Sequence, residues 1–223
     1  TGRRARLVRR VLLGAEASRT IVRERARDTL RLAYAGYAWT MLAVCAGFAA
    51  CMVALPLPLS LRRRVAHSCA GVFLRSAGLM PEVRGIEALS QVGQHILVVN
   101  HESYIDAIVL FAVLPAGVRF VAKRDLASTC LLRYALRTTG SLLVDSVGAE
   151  HSAEAAESVI AAAEQGDTLA VFPEGTFRRA PGVQAFRLGA FVASVKTQAA
   201  VVPVALSGTR RVLPDGTWLP RRS

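Results

Sequence analysis

Two short stretches of this chain hold side chains that could move protons and bind phosphate. The first is Asn100-His101-Glu102-Ser103-Tyr104-Ile105-Asp106. A carboxylate on one imidazole nitrogen fixes the tautomer and leaves the other nitrogen as a general base. On one continuous helix His101 and Asp106 would sit about 140° apart, too far round to pair. A loop that bends into a helix brings them together. Ser103 and Asp106 have the spacing of an N-cap and its third helical residue. A helix is therefore expected to start at Ser103, with His101 in the loop before it and free N–H groups nearby. The plain alternative is a capped helix with an incidental surface histidine.

The second stretch is Phe172-Pro173-Glu174-Gly175-Thr176-Phe177-Arg178-Arg179. Pro and Gly make a tight turn, Glu174 can accept from a hydroxyl, and Arg178 and Arg179 can grip a phosphate. Here the alternative is a surface turn with solvated arginines. Between the two stretches, VAKRDL places Lys123 and Arg124 together.

The elements that would carry these residues alternate. HILVV (95–99), VRFVAK (118–123), SLLVD (141–145), TLAVF (168–172) and VVPVAL (201–206) read as apolar strands. The segments 103–114, 126–136, 149–166 and 188–198 read as helices. This order predicts an α/β fold with a largely parallel sheet covered by helices. In such sheets, sites form beyond the carboxyl ends of the strands, where His101, Lys123-Arg124 and Glu174 all fall.

The rest of the chain is read from its charge. Of 223 residues, 28 are Lys or Arg and 16 Asp or Glu, for a net charge of +12, yet 52% are hydrophobic. That apolar content excludes a disordered basic tail. The basicity points to phosphate, whether on nucleic acid, membrane or substrate. Residues 1–31 hold ten Arg against three acids and read as a basic amphipathic helix. From Leu32 to Leu61 no residue is charged, and Arg31 and Arg62-Arg63-Arg64 flank the run. Roughly 20 apolar residues span a bilayer core, so residues 32–80 read as a membrane segment and a following surface helix. Tyr34, Tyr37 and Trp39 resemble interfacial anchors, and Pro56 and Pro58 end the helix. Positive charge on both flanks favours a helix that enters one leaflet and returns. Val65, Cys69, Val72 and Phe73 would form one face of the returning helix.

Cys45, Cys51, Cys69 and Cys130 show no metal-ligand spacing and read as reduced, buried thiols. Nucleic-acid binding lacks a recognition motif, with only 6% of residues aromatic. It also leaves the apolar run unexplained.

Taken together, NHESYID, FVAKRDL, FPEGTFR and VVPVAL resemble the four ordered motifs of the glycerolipid acyltransferase superfamily. Within it, the pattern is similar to the bacterial 1-acyl-sn-glycerol-3-phosphate acyltransferases. The resemblance covers roughly residues 81–210 and implies a glycerol-3-phosphate acyltransferase-like fold over 81–223. It implies that His101 is the general base and Asp106 its support. The acceptor hydroxyl would attack the thioester of acyl-CoA or acyl-carrier protein, a co-substrate, with no other cofactor and no metal. Glu174 and Gly175 would position the acceptor, and Arg178 with Lys123 or Arg124 would hold its phosphate. Asn100, Ser103 and Thr176 complete the implied substrate-binding set. The acceptor implied first is a lysophospholipid, 1-acyl-glycerol 3-phosphate. Glycerol 3-phosphate, lysophosphatidylethanolamine, a lyso-aminolipid, or a non-catalytic lipid-binding role are the alternatives. The place implied is the cytoplasmic side of a bacterial inner membrane.

The chain departs from the pattern at several points. Phe177 separates Thr176 from the arginine that commonly follows it, Ser146 stands where an arginine is common, and Arg187 is the single cation before Gly189. The chain starts at Thr1 and ends soon after the fourth motif, which reads as a truncated chain or one domain of a larger protein.

Overall fold

The computed structural model describes residues 2–128, 130–145, 149–178, 182–214 and 216–221. Two long helices come first, α1 (Gly2–Ala54) and α2 (Leu59–Ser76). Strands and helices then alternate: β1 (His95–Val99), α3 (Asp106–Val113), β2 (Arg119–Lys123), α4 (Cys130–Thr138) and β3 (Leu142–Val144). They continue as α5 (Ala149–Glu164), β4 (Leu169–Val171), α6 (Gly189–Thr197), β5 (Ala200–Val204) and α7 (Thr209–Val212). Short 3-10 turns occupy Ile86–Ser90 and Arg124–Ser128.

The five strands form one sheet in the order β3-β2-β4-β1-β5, with every pairing parallel. Parallel strands need crossover connections, and helices on both faces bury them. β1 shows this most clearly. Ile96 and Val98 pack toward Val159, Ala163, Ala190 and Ala193 of α5 and α6. Leu97 and Val99 pack the other way, toward Leu110 of α3 and Val118. All five β1 residues are buried, so a run of adjacent apolar residues, rather than an alternating one, is what this position requires.

Outside α3 lies a third apolar cluster. Phe73 and Leu74 of α2 and Ala77 just past it meet Cys45 of α1 and Ile105, Val109 and Ala112 at α3. α1 runs unbroken across residue 31, where the sequence pattern placed a boundary, and spans about 80 Å. Val22–Met52 within it is long and apolar enough to cross a membrane. The amphipathic pattern expected for residues 2–21 concerns side chains outside the described set. α1 stops at Ala54, just before Pro56 and Pro58, and α2 returns alongside it. The flanking arginines help to close helix ends: Arg62 donates to Leu55 O at 3.3 Å, and Arg63 Nε to Thr139 O, just past α4, at 3.0 Å.

Two expectations are corrected here. α3 starts at Asp106 rather than Ser103, because the Ser103 hydroxyl donates to Leu213 O at 2.7 Å instead of capping the helix. Val72 of α2 is 52% exposed, and Leu74 takes its place on the buried face. Tyr34, Tyr37 and Trp39 are tied within the protein. Their polar atoms donate to Ala77 O, Ser76 O and Trp218 O at 2.9, 3.1 and 2.7 Å.

Candidate active site

The site is assembled by strand register. Val98 of β1 pairs with Val171 of β4. His101 and Glu174, each three residues further on, therefore leave the sheet side by side. Glu174 Oε1 accepts the His101 main-chain N–H at 2.9 Å, and its Oε2 accepts Gln184 N–H at 2.8 Å. Both oxygens of this buried carboxylate are thus turned inward. The sequence offered Glu174 to a substrate hydroxyl, but the fold uses it to fasten the two motif loops together.

Asp106 is wholly buried, at 0% exposure. Its Oδ2 accepts from Glu102 N–H at 2.6 Å, Ser103 N–H at 2.8 Å and His101 Nδ1 at 2.8 Å. An ionised carboxylate only accepts, so Nδ1 carries the proton and Nε2 keeps its lone pair. The two main-chain donors fix the carboxylate before the histidine meets it. They are available because the chain from His101 to Ile105 turns instead of continuing as helix. Oδ1 is also buried and has no hydrogen-bond partner among the described residues. The His101 side chain is 18% exposed. Phe172 stacks on its ring at 4.1 Å between centroids, and Phe177 meets it edge-on at 4.7 Å. These two rings limit the directions from which a reactant can approach.

The other residues implied by the resemblance divide clearly. The Asn100 side chain bonds both main-chain groups of Leu206, donating to its O at 3.0 Å and accepting its N–H at 2.7 Å. This locks the loop after β1 to the loop after β5. Asn100 and Ser103 therefore spend their polar groups on the fold rather than facing a substrate. Arg124 pairs with Asp145 at 2.8 Å on the surface, while Lys123 ends β2 half-buried. Arg178 and Thr176 are exposed on the turn after β4. Arg179 and Ser146 lie outside the described residues.

Gly175 has φ +70, and a methyl group added there would lie 2.7 Å from Arg187 Nε. The backbone conformation of the turn calls for a glycine, and the flexible Arg187 side chain packs into the space it leaves. Arg187 N–H also donates to Pro173 O at 2.9 Å. Sequence reasoning noted Arg187 as a solitary cation and did not place it against this turn. The aromatic surround of His101 was missed as well, although Phe172 and Phe177 stood inside the quoted motif.

An all-parallel sheet that delivers a carboxylate-held histidine and an arginine-covered turn to one edge defines a class. The Acyltransferase family model matches residues 80–207, and the chain belongs to that family. The chain is 26% identical over 136 residues to a chloroplast 1-acyl-sn-glycerol-3-phosphate acyltransferase of Arabidopsis thaliana, covering 60% of this chain and 38% of the relative. It is 28% identical over 123 residues to the 1-acyl-sn-glycerol-3-phosphate acyltransferase of Helicobacter pylori, covering 54% and 51%. The chain spans about half the length of the curated relatives it matches, or less. Its fold is like that of the 1-acyl-sn-glycerophosphate acyltransferase of Thermotoga maritima, with a TM-score of 0.68 at 24% identity over 87% of this chain and 81% of that one.

Proposed function

We propose that this chain transfers a fatty acyl group from acyl-CoA or acyl-carrier protein to the free hydroxyl of a lysophospholipid, with 1-acyl-glycerol 3-phosphate as the acceptor. The observation that carries this reading is the His101–Asp106 pair: a buried carboxylate with two main-chain donors, an Nδ1 contact of 2.8 Å, and a partly exposed ring. Nε2 takes the acceptor's hydroxyl proton as its oxygen attacks the thioester carbonyl. Asp106 stabilises the imidazolium that forms. When the tetrahedral intermediate collapses, the carbon–sulfur bond breaks and the thiol leaves with the proton returned by Nε2. One ester forms and one thioester is lost, so the balance needs no further reagent. No GxSxG elbow occurs in the sequence to support a serine acyl-enzyme.

The acceptor's phosphate falls to the cations around this edge. Arg178 lies at the end of the turn after β4, Arg187 packs over that turn, and Lys123 ends the strand beside it. Arg187 suits the role because its guanidinium already packs against Gly175. The apolar stretch Val22–Met52, in a helical hairpin with α2, supports a reading in which the enzyme works at a membrane. The site would face the cytoplasm, where thioester donors are made.

The decisive test is an acyl-transfer assay on membranes carrying the full chain, with a panel of lysolipid acceptors and both thioester donors. Transfer to 1-acyl-glycerol 3-phosphate that disappears in His101→Ala is the expected result. Lipid binding without transfer to any acceptor would favour the non-catalytic reading instead.

A further inference from the structure

A row of aromatic rings leads from the apolar helix to the proposed base. Trp39 of α1 lies 6.2 Å from Trp218 between ring centroids, and its Nε1 donates to Trp218 O at 2.7 Å. Trp218 stacks on Tyr104 at 5.9 Å with ring planes 11° apart. Tyr104 meets Phe177 edge-on at 4.6 Å, and Phe177 meets His101 at 4.7 Å. All four steps fall in the range in which aromatic rings attract one another. Trp39 is 36% exposed, and from Trp218 inward exposure falls: Trp218 is 68% exposed and Tyr104 52%, Phe177 is half-buried, and the His101 side chain is 18% exposed.

The segment that carries Trp218 is held in place. Ser103 Oγ donates to Leu213 O and Arg221 N–H to Val212 O, each at 2.7 Å. Two large aromatic side chains lie open to solvent on a braced backbone. Such a surface is more stable when something apolar covers it.

We propose that Trp218, Tyr104 and Phe177 form a track for the acyl chain of the single-chain acceptor lipid, with Trp39 at its membrane end. The inference rests on the acyltransferase reading above. The track is continuous with the stretch Val22–Met52, so a chain lying on it can stay rooted in lipid. Its inner end is the imidazole at which the acceptor hydroxyl must arrive. The track also gives Phe177 a purpose. Where the superfamily pattern commonly puts an arginine directly after the threonine, this chain has the innermost apolar rung.

Two measurements test the track. In the first, kcat/KM is compared for long-chain and short-chain lysophosphatidic acids. Trp218→Ala and Tyr104→Ala should each lower the long-to-short ratio about tenfold, the burial lost by roughly two methylenes. Trp218→Leu, which keeps apolar bulk, should lower it less and guards against a folding defect. An unchanged ratio overturns the track. A ratio that instead varies with the chain length of the thioester assigns the rings to the donor and also overturns it.

The second measurement needs no turnover. The chain has two tryptophans, so the difference in emission between wild type and Trp218→Phe reports Trp218. In detergent micelles, chain-brominated lysophosphatidic acid should quench that difference signal several-fold more than the same amount of brominated diacyl lipid. Equal quenching means that Trp218 meets bulk lipid, which defeats the proposal. If selective quenching persists while no lysolipid is acylated, the catalytic reading fails and the lipid track stands.

Discussion

The two ends of the sheet carry similar side chains and use them in opposite ways. At the amino ends of the strands, Arg119 at the start of β2 donates to Gly140 O at 2.8 Å and pairs with Asp167, just before β4. Arg63 from α2 packs over Gly140, where φ is +71, and donates to Thr139 O. Burial first and the Arg119 charge second hold the Arg63 guanidinium below its usual pKa, with Asp167 opposing them. At the carboxyl ends, Arg187 packs over Gly175 in the same manner, and Asp106 gathers three donors. The difference lies in where the polar capacity points. The amino-end cluster bonds to its own carbonyls and carboxylate. The carboxyl-end cluster immobilises a histidine by one nitrogen and holds the other in a partly exposed ring. A charged cluster of the first kind holds loops together, and one of the second kind can act on a substrate.

Substitutions can break that contrast. His101→Ala should lower acyl transfer about a thousandfold, the middle of the range for a positioned base, with thermal unfolding in detergent almost unmoved. An equal loss of stability would make the carboxyl-end cluster structural too. Asp106→Asn is next: it should lower turnover about a hundredfold and also destabilise by about 1–3 kcal/mol. The amide oxygen can replace Oδ2, which takes all three donors, but only as an uncharged and weaker acceptor, and the NH2 group is then buried without a partner where Oδ1 lay. Rate and unfolding measurements on one preparation separate the two effects.

Arg119→Leu, at the opposite end, should cost about 2 kcal/mol in denaturant unfolding by stranding Asp167. Turnover per folded molecule should stay within about twofold, and a large fall would erase the distinction. Glu174→Gln has the smallest expected effect. It should cost about 1 kcal/mol, because one of two main-chain N–H groups loses its acceptor. A several-fold rise in the acceptor KM should accompany it as the β4 turn loosens against His101.

Much of this architecture could be read from local pattern. Four of the five strands fall within a predicted apolar run and β5 begins one residue before its own, and the parallel arrangement follows from their alternation with helices. The His101–Asp106 pairing was foreseeable because a loop that bends into a helix can bring together two residues five apart. Asn100, Ser103 and Glu174 were read less well. Their types say that they form hydrogen bonds, but not with which groups. Their partners are Leu206, Leu213 and Gln184, together with the His101 main chain. Most of these come from other strand ends, brought near by register. Local pattern likewise offers Arg178, Lys123 and Arg124 as cations without showing what surrounds them. Arg124 is paired with Asp145, and Arg187 is the cation that reaches Gly175.

Local physics thus reaches as far as the elements, the bend that lets His101 meet Asp106, the apolar length of α1 and the family pattern. Periodicity, turn chemistry and short-range spacing act within a few residues, so a sequence can state them directly. Tertiary structure alone decided which polar groups are consumed by the fold and which stay open. It also brought Trp39 to Trp218, a hydrogen bond across 179 residues. Such contacts depend on how strands register and helices pack, and no local signal in either segment encodes the other.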